Sequence, residues 1–483
     1  PKIQNVYGAT VDPTAETLSV DSWGKKLSDL TADELNYSGA KLRNTASNDD
    51  VNDFFRTGAT FNNSISVSGG TETVRTYFSY ANSYSDGMMR NNNYKRNTLS
   101  FRQSYSLFNK KLNVDLSLNY VQAKTKNRPG GGTVMNPLYD LYRMPRNVDL
   151  NYYKENYYIE NGKWTSNEQS YFDSKNNKWT TGTVELTGPK QEWAYWQNGM
   201  NNPYWMVNTR NSISEEERAY GYISANYQII DGLKIQGRLS LDRTKMKGTS
   251  ERMATTWNIS AMEDYGMYGQ DLNWINEVYV DALLSYDKQI KDFSISATTG
   301  WTGHTLKGET QKLWAKATTA NWKHDTMPTL INFFEPSVSQ GNVSERSYTL
   351  SSNWDKGLLF TGQIGWQEKV YLEGSYRRDW YRAFKQYSYR GTPTNYGYFS
   401  VGANALLHQI VTLPEVITNL KVRASYSEVG NSIPNVLYNA RNTDPLTGAA
   451  VPSSYSYFNN PIPEKTKSFE AGFDISLFGS ALN

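Results

Sequence analysis

The sequence predicts an all-β fold, a transmembrane antiparallel β-barrel with long extracellular loops. Three observations predict it: apolar and polar residues alternate in long runs, the connections between runs alternate between short and long, and aromatic residues are abundant. Tyr, Trp and Phe number 36, 14 and 17 and make up 14% of the 483 residues, whereas all hydrophobic residues together reach only 38%. A soluble core of this length draws on more aliphatic side chains.

The alternation is strict enough to mark individual strands. From Leu112 to Tyr120, every second residue is apolar and the residues between are polar. Similar runs begin at Leu233, Phe293, Leu420 and Phe469. A tilted membrane-crossing strand needs about 9–11 residues, which these runs supply, whereas strands of soluble sandwiches average about 5–6.

The predicted connections between strands alternate between short and long. We predict thirteen strands, at 59–68, 74–84, 95–108, 111–122, 217–229, 232–245, 275–288, 292–302, 357–366, 369–380, 397–408, 419–428 and 465–478. Long connections follow even-numbered strands, at 123–216, 246–274, 303–356, 381–396 and 429–464. Antiparallel strands return to the same side at every second crossing, so the short turns share one rim and the long loops the other, as in outer-membrane barrels. We therefore assign residues 1–58 to an extracellular loop region and 59–483 to barrel strands with these loops.

The composition excludes several functional classes. Without Cys there are no disulfides, thiolate metal sites or cysteine nucleophiles, and His304, His324 and His408 do not have a metal-binding spacing. The 50 basic and 47 acidic residues give no reason to expect nucleic acid as a partner. No phosphate loop, zinc-protease motif or nucleophile elbow occurs, so we predict a non-enzyme without cofactor or metal.

The strand count suggests an incomplete barrel. Bacterial barrels of this kind close with an even number of strands, whereas thirteen are predicted here. The chain begins at Pro1 and ends in a turn at Asn483. We expect the 483 residues to be a segment of a larger barrel.

Several stretches share the sequence pattern of one family. The most specific are Tyr371–Asp379, Leu420–Tyr426, Val429–Asn431 and Pro463–Glu470, and the others are Asp53–Gly58, Ser64–Gly70, Tyr94–Asn97, Asn202–Trp205 and Arg218–Tyr222. In these stretches the chain resembles the SusC/RagA-like TonB-dependent transporters of Gram-negative outer membranes. The stretches occur in the family's order and cover nearly the whole chain.

The resemblance implies a 22-stranded barrel filled by an N-terminal plug, with a TonB box that couples import to the inner-membrane proton gradient. We expect the plug, the TonB box and the last strands to lie outside these residues. The implied function is import of oligomeric nutrients, oligosaccharides or alternatively peptides. Implied partners are a SusD-like surface lipoprotein as lid, TonB through the plug region, the solute and outer-membrane lipid, with a possible dimer of transporter–lid pairs.

Two other functions remain open. A passive outer-membrane porin would share the alternation and the sorting of loops by length, and the upstream sequence would distinguish it. A secreted β-rich adhesin or glycan-binding protein would also be rich in aromatic residues and Asn. It would have shorter strands and would be soluble without detergent.

The candidate contact residues lie in the longest loop. Trp193, Tyr195 and Trp196 lie close together at 191–205, where their aromatic faces could stack on a solute or meet the lid. The alternative, which we favour and most strongly for Trp205, is that they pack the loop on itself, on its neighbours or on the lid protein. The tyrosines of 139–158 allow the same two interpretations.

Other residues fit the barrel wall. The aromatic residues near strand ends are expected to form interfacial girdles: Trp301, Trp366, Trp380, Tyr120, Tyr227 and Tyr286. The charges predicted to face the lumen, where they would contact the plug or guide the solute, are Lys234, Arg238, Asp242, Glu373 and Arg377. Asp49, Asp50 and Asp53 form either a solvated loop, which we favour, or a Ca²⁺ site.

Overall fold

The computed structural model describes residues 4–9, 11–12, 17–18, 23–35, 42–46, 49–128, 130, 135–173, 175–193, 200–258, 261–262, 266–316, 343–387, 393–432, 462–479 and 481–482. Its strands are β1 (Val11–Asp12), β2 (Thr17–Leu18), β3 (Ala59–Gly70), β4 (Val74–Asp86), β5 (Asn93–Leu107), β6 (Leu112–Lys126), β7 (Tyr158–Asp173), β8 (Lys178–Gln191), β9 (Asn211–Ile230), β10 (Leu233–Arg252), β11 (Trp257–Asn258), β12 (Ala261–Met262), β13 (Met267–Ile290), β14 (Phe293–Lys316), β15 (Val343–Trp366), β16 (Val370–Tyr381), β17 (Tyr396–Leu406), β18 (Ile417–Asn431) and β19 (Glu464–Leu477). Its α-helices are α1 (Ala32–Leu35), α2 (Asp49–Asp53), α3 (Pro137–Arg143), α4 (Leu150–Glu155), α5 (Pro203–Thr209) and α6 (Arg382–Tyr387).

One antiparallel sheet of 13 strands dominates the fold. It runs from β3 to β19 in chain order, and β7–β8 and β11–β12 are separate two-stranded ribbons inserted between its strands. All thirteen predicted strands are present in it. No helix in the described ranges is long and apolar enough to cross a bilayer.

The strands extend further than predicted on the long-loop side. β10 continues to Arg252 and β13 begins at Met267, so most of the predicted loop 246–274 is paired strand. Likewise β14 and β15 are 24 residues each and occupy both ends of the predicted loop 303–356. The prediction followed apolar alternation, which stops before the strands end, whereas backbone pairing continues beyond that point. The predicted loop 123–216 likewise contains β7 and β8.

The turns on the other rim are tight. Gln367 and Glu368 connect β15 to β16 with φ of 51° and 58°. Positive φ at both central residues is the signature of a type I′ hairpin, whose twist matches that of the flanking strands. This turn therefore fixes the pairing of β15 with β16, whereas the pairing of β9 with β10 shifts register beside its turn, at Leu233.

The sheet has one apolar and one polar face. Residues directly opposite on neighbouring strands share a face, and Phe78, Phe101 and Leu118 form one such row. On the other face, Arg238 lies opposite Asp281, which lies opposite Thr302. An outer-membrane barrel turns its apolar face to lipid and its polar face to the lumen.

Most of the buried hydrophobic residues lie outside the sheet, on the long-loop side. A compact body on this side, which we call the loop platform, is formed by Phe54 and the segments 4–9, 137–155, 191–193 and 200–209. Its buried core consists of Ala9, Phe54, Met89, Leu141, Met144, Val148, Leu150, Tyr153, Trp193, Met200, Tyr204 and Val207. The region 1–58, predicted to be loop, thus contributes Ala9 and Phe54 to this core.

Candidate functional site

The polar face carries a continuous network of charges and tyrosines. Arg238 Nε lies 2.7 Å from Asp281 Oδ2, and Gln236 Nε2 donates to Asp281 Oδ1 at 3.1 Å. Asp281 is only 2% exposed, and the Arg238 guanidinium stands 5.2 Å from the centre of the Tyr279 ring. Because the carboxylate is desolvated and fully paired, this cluster is a fixed part of the wall.

A second pair continues the network toward the long loops. Arg218 Nε lies 3.0 and 3.1 Å from the two carboxylate oxygens of Asp242, and a terminal guanidinium nitrogen also contacts Asp242. The Arg218 guanidinium lies 4.7 Å from the centre of the Tyr220 ring. This geometry orients both the charge and the ring toward the lumen.

His304 bridges two carboxylates on the same face. Its Nδ1 is 2.8 Å from Asp355 Oδ1 and its Nε2 is 2.7 Å from Glu277 Oε1. His304 lies opposite Tyr279 on one side and opposite Asp355 on the other. The bridge therefore connects three neighbouring strands, β13, β14 and β15.

The network reaches β16 and β17 through Asp379. Arg377 Nε donates to its two oxygens at 2.8 and 3.0 Å, and Tyr398 donates its hydroxyl at 2.6 Å. Tyr381 adds a third donor at 3.3 Å, and Asp379 is 2% exposed. Arg377 also reaches Thr302 on β14 at 3.5 Å, which links this cluster to the row of Asp281.

A polar trough lies nearer the short turns. It has a volume of about 520 Å³ and is lined largely by small hydroxyl-bearing residues, among them Ser375 and Ser400, whose Oγ atoms are 2.7 Å apart. Glu373 also lines it.

The charges predicted to face inward lie on this polar face. Arg238, Asp242 and Arg377 belong to the network, Glu373 lines the trough, and Lys234 lies opposite Ser285. The sequence did not identify their partners, which are Asp281, Thr302 and Tyr398. These residues come close only through the register in which neighbouring strands pair. Trp301 and Trp366 lie on the apolar face, 36% and 39% exposed, where girdle residues belong.

In the long loop, Trp193 and Trp205 are both buried. Trp193 is 3% exposed, and its ring packs edge-on against Tyr153 with centroids 4.8 Å apart. Trp205 is 1% exposed and donates its indole N–H to Thr256 Oγ1 at 2.9 Å. Tyr195 and Trp196 lie outside the described residues. Among the tyrosines of 139–158, Tyr142 is 64% exposed.

Buried amides hold the loop platform together. Asn202 accepts a hydrogen bond from Tyr204 N at 2.8 Å as the N-cap of α5, and its Nδ2 donates to Glu192 O at 2.9 Å. Asn201 Oδ1 accepts from Trp257 N at 2.8 Å, and Asn201 N donates to Asp140 Oδ2 at 3.3 Å. Burial raises the pKa of Asp140 to about 7. The platform is therefore a folded unit with one poorly solvated carboxyl group.

Within the described ranges, no group of three or more His, Cys, Asp or Glu side chains could hold a metal ion. Asp49 and Asp53 are the first and last residues of the short helix α2.

Comparisons with known proteins bear on the fold. No protein-family model matches the sequence, and no curated protein matches it. Among solved structures, the RagAB peptide transporter is similar, with a TM-score of 0.63 and 16% identity over 94% of this chain and 47% of that chain. The RagAB peptide importer in its "closed-closed" state gives a TM-score of 0.66 and 18% identity over 98% of this chain and 52% of that one.

The "open-open" state of the same importer gives a TM-score of 0.65 and 17% identity, over 99% of this chain and 52% of that one. The chain thus spans about half the length of the solved chains it matches. The predicted resemblance is confirmed for the fold: the chain has the β-barrel fold of the SusC/RagA-like TonB-dependent transporters.

Proposed function

We propose that this chain forms the wall of a TonB-dependent importer of oligomeric nutrients in a Gram-negative outer membrane. The observation that carries the proposal is the two-faced sheet, in which lipid-facing apolar rows stand behind a polar face of ion-paired charges and tyrosines. A conduit for polar oligomers needs such a lumen, since a solute passes along it by exchanging water contacts for contacts with the wall. No catalytic step is proposed.

Two solute classes fit, oligosaccharides and peptides. Tyrosine rings and hydroxyl groups on the polar face suit sugars. The similar solved structures are described as a peptide transporter and a peptide importer, which supports the peptide. An exposed pair on the polar face such as Arg423 and Asp474, whose side chains are 60% and 50% exposed, can also exchange partners with peptide termini. The peptide is therefore the first candidate.

The loop platform supports the proposed lid. It is a packed body on the long-loop side, and it presents Tyr142, whose side chain is 64% exposed. Large aromatic side chains are enriched in protein interfaces. We propose that a SusD-like surface lipoprotein rests on this platform, and that TonB acts through a plug region outside the chain.

Uptake by cells tests the proposal. A strain producing the full-length protein is supplied with a defined peptide mixture or a defined oligosaccharide mixture as sole carbon source, with and without a proton uncoupler. Growth on one class that stops when the uncoupler is added, or when TonB is deleted, is expected. Uptake that continues without energy coupling would favour the passive porin instead.

Co-purification tests the lid. The full-length protein is extracted in mild detergent, and a stoichiometric lipoprotein is expected in the complex. The matched variants are Tyr142→Ala on the platform and Tyr227→Ala on the apolar face, of which only the first should release the lipoprotein. Release by neither variant would remove the platform from the proposed interface.

A further inference from the structure

Four exposed basic residues lie on the apolar face of the sheet, toward its long-loop side: Arg243 on β10, Lys307 on β14, Lys356 on β15 and Arg378 on β16. Arg243, Lys356 and Arg378 are each one outward position away from an apolar residue, namely Leu241, Leu358 and Tyr376. Lys307 lies further from Trp301, the nearest large apolar residue on the short-turn side of the same face of β14. We call these four residues the cation belt.

The four residues of the belt do not all lie in one row of directly opposite residues on neighbouring strands. Arg243 and Lys307 both lie opposite Asn276, and Lys307 lies opposite Ser352 on β15. Arg378, however, lies opposite Leu358, six residues further along β15 than Ser352. The belt has therefore moved six residues across the rows between β10 and β16.

That displacement is the one expected of tilted strands. With a strand spacing of about 4.8 Å and a tilt of about 40°, a line of constant height shifts by about 4 Å along each successive strand. Over the four strand-to-strand steps from β10 to β16 this amounts to roughly five residues. Arg243, Lys356 and Arg378 therefore lie near one level of the proposed membrane, on its long-loop side. Lys307 is in the row of Arg243 and so lies about two residues further toward the long loops.

The belt has few partners within the protein. None of its four members forms an ion pair with a carboxylate in the described part of the chain. Lys356 Nζ lies 5.5 Å from the centre of the Trp354 ring, and the Arg378 guanidinium lies 6.0 Å from that of Trp380 and donates to Asn395 at 2.9 Å.

The nearest outward carboxylates lie one position further from the membrane. Glu309 lies two residues after Lys307 on β14. On β9, Ala219 lies opposite Arg243, and Glu217 lies two residues before Ala219. Cations also occur at this next position, since Lys245 lies opposite Glu217. The four belt residues are therefore set apart by their lack of carboxylate partners and not by the order of charges along the strands.

We propose that the cation belt binds phosphate groups of anionic lipids in the leaflet on the long-loop side. Arg and Lys are the side chains that bind phosphate, Arg through two parallel hydrogen bonds. The aromatic rings beside Lys356 and Arg378 hold these cations at headgroup level. The proposal rests on the membrane placement given above.

A titration with two glycolipids tests it. The full-length protein in detergent is titrated with bisphosphorylated lipid A and with the phosphate-free form, and binding is followed by native mass spectrometry. The belt variant carries Lys307→Gln, Lys356→Gln and Arg378→Gln. The control carries Lys110→Gln, Lys111→Gln and Lys369→Gln, the same charge change at the short-turn rim.

Each cation near an anionic membrane surface contributes roughly fivefold to binding, so the belt variant should bind the phosphorylated lipid about a hundredfold more weakly. The control should bind it as the unmodified protein does, and neither set should change binding of the phosphate-free lipid. Equal losses in both variants, or no loss in the belt variant, would overturn the proposal. If instead the protein stayed soluble without detergent and bound neither lipid, the membrane placement itself would fail.

Discussion

Arg377 on β16 donates a hydrogen bond to Thr302 on β14, two strands away, with Nη2 and Oγ1 3.5 Å apart. The strand between them contributes Gly357 at this point, opposite both Thr302 and Asp379. A Cβ at Gly357 would lie 2.5 Å from Asp379 Oδ1 and 2.8 Å from Arg377 Nη2. Because Gly357 has no side chain, Arg377 can reach across β15 to Thr302, and this contact connects two parts of the polar network.

Gly357→Ala should therefore destabilise the sheet. Overpacking of this kind costs about 1–3 kcal/mol, because the carboxylate and guanidinium must shift from the geometry in which Arg377 Nε donates to both oxygens of Asp379. The free energy of unfolding in urea, followed by Trp fluorescence, measures it. Gly237→Ala is the control, since a Cβ there meets nothing within 4 Å. Equal stability of the two variants would contradict the crossing contact.

Asp379→Asn should be far more costly than the loss of an exposed ion pair. The Asp379 side chain is 3% exposed and accepts hydrogen bonds from Arg377 and Tyr398, so an amide in its place removes a buried acceptor and the counter-charge of Arg377. Leaving buried donors unpaired in this way costs about 1–3 kcal/mol.

Asp474→Asn provides the comparison. Its pair with Arg423 spans 3.5 Å between side chains that are 50% and 60% exposed, so less than about 1 kcal/mol is expected. In the double variant Asp379→Asn with Arg377→Met, part of the loss should be recovered, since no uncompensated charge remains. A double variant as unstable as the sum of its parts would rule out coupling between the two side chains.

The loop platform should loosen as the pH rises through neutrality. Burial raises the pKa of Asp140 from 3.8 to about 7, so the folded platform favours the protonated carboxyl group. A group with a raised folded-state pKa contributes stability that is complete below its ordinary pKa and is lost as the pH passes the folded value. Between pH 6 and pH 8 the opening equilibrium should rise about tenfold.

Hydrogen exchange at the amides of 200–202, corrected for the intrinsic rate, measures this opening. Asp140→Asn should abolish the pH dependence, because the amide does not titrate in this range. A variant that opens with the same pH dependence as the unmodified protein would assign the effect to another group.

The two helices that begin with Asn-Pro should differ in their sensitivity to loss of the cap. Asn202 is fully buried and its side chain bonds both Tyr204 N and Glu192 O, whereas Asn136 is half-buried and caps Leu138 N at 3.1 Å. Removing a cap costs about 1 kcal/mol, and leaving a buried carbonyl unpaired adds about 1–3 kcal/mol.

Limited proteolysis of the long loop measures the difference. Cleavage should be strongly accelerated in Asn202→Ala and only slightly in Asn136→Ala. The reverse order would show that α3, and not α5, anchors the platform.

The sequence predicts the membrane-spanning wall well because lipid on one face and water on the other force a period of two. On β10, Leu233 to Leu241 give this pattern directly, and Arg243 ends it. Beyond Arg243 the strand continues for nine more residues, and no local signal marks them, because both faces are solvated and the strand is held only by its neighbours β9 and β13.

The same limit applies to the candidate site. The inward orientation of Arg238 and Arg377 follows from their place in the alternation. Their partners do not, since Asp281 is 43 residues from Arg238 and Thr302 is 75 residues from Arg377, and a shift of register by one residue would reverse the face. The burial of Trp193 agrees with the favoured interpretation that the loop packs on itself, but the sequence does not show that Tyr153 is the residue that covers it.

The length of β13, β14 and β15 sets how far the wall rises above the bilayer. Each has 24 residues, whereas a crossing needs about 9–11, and their turns lie directly at the apolar ends Ile290, Phe293 and Trp366. In the membrane placement proposed above, nine residues of β14 lie beyond Lys307 and thirteen of β15 lie beyond Lys356. At about 3.3 Å per residue and a tilt of about 40°, they raise the rim roughly 20–35 Å above the headgroups. In this placement, a molecule approaching from that side meets the wall of the sheet well before it reaches the depth of the lipid.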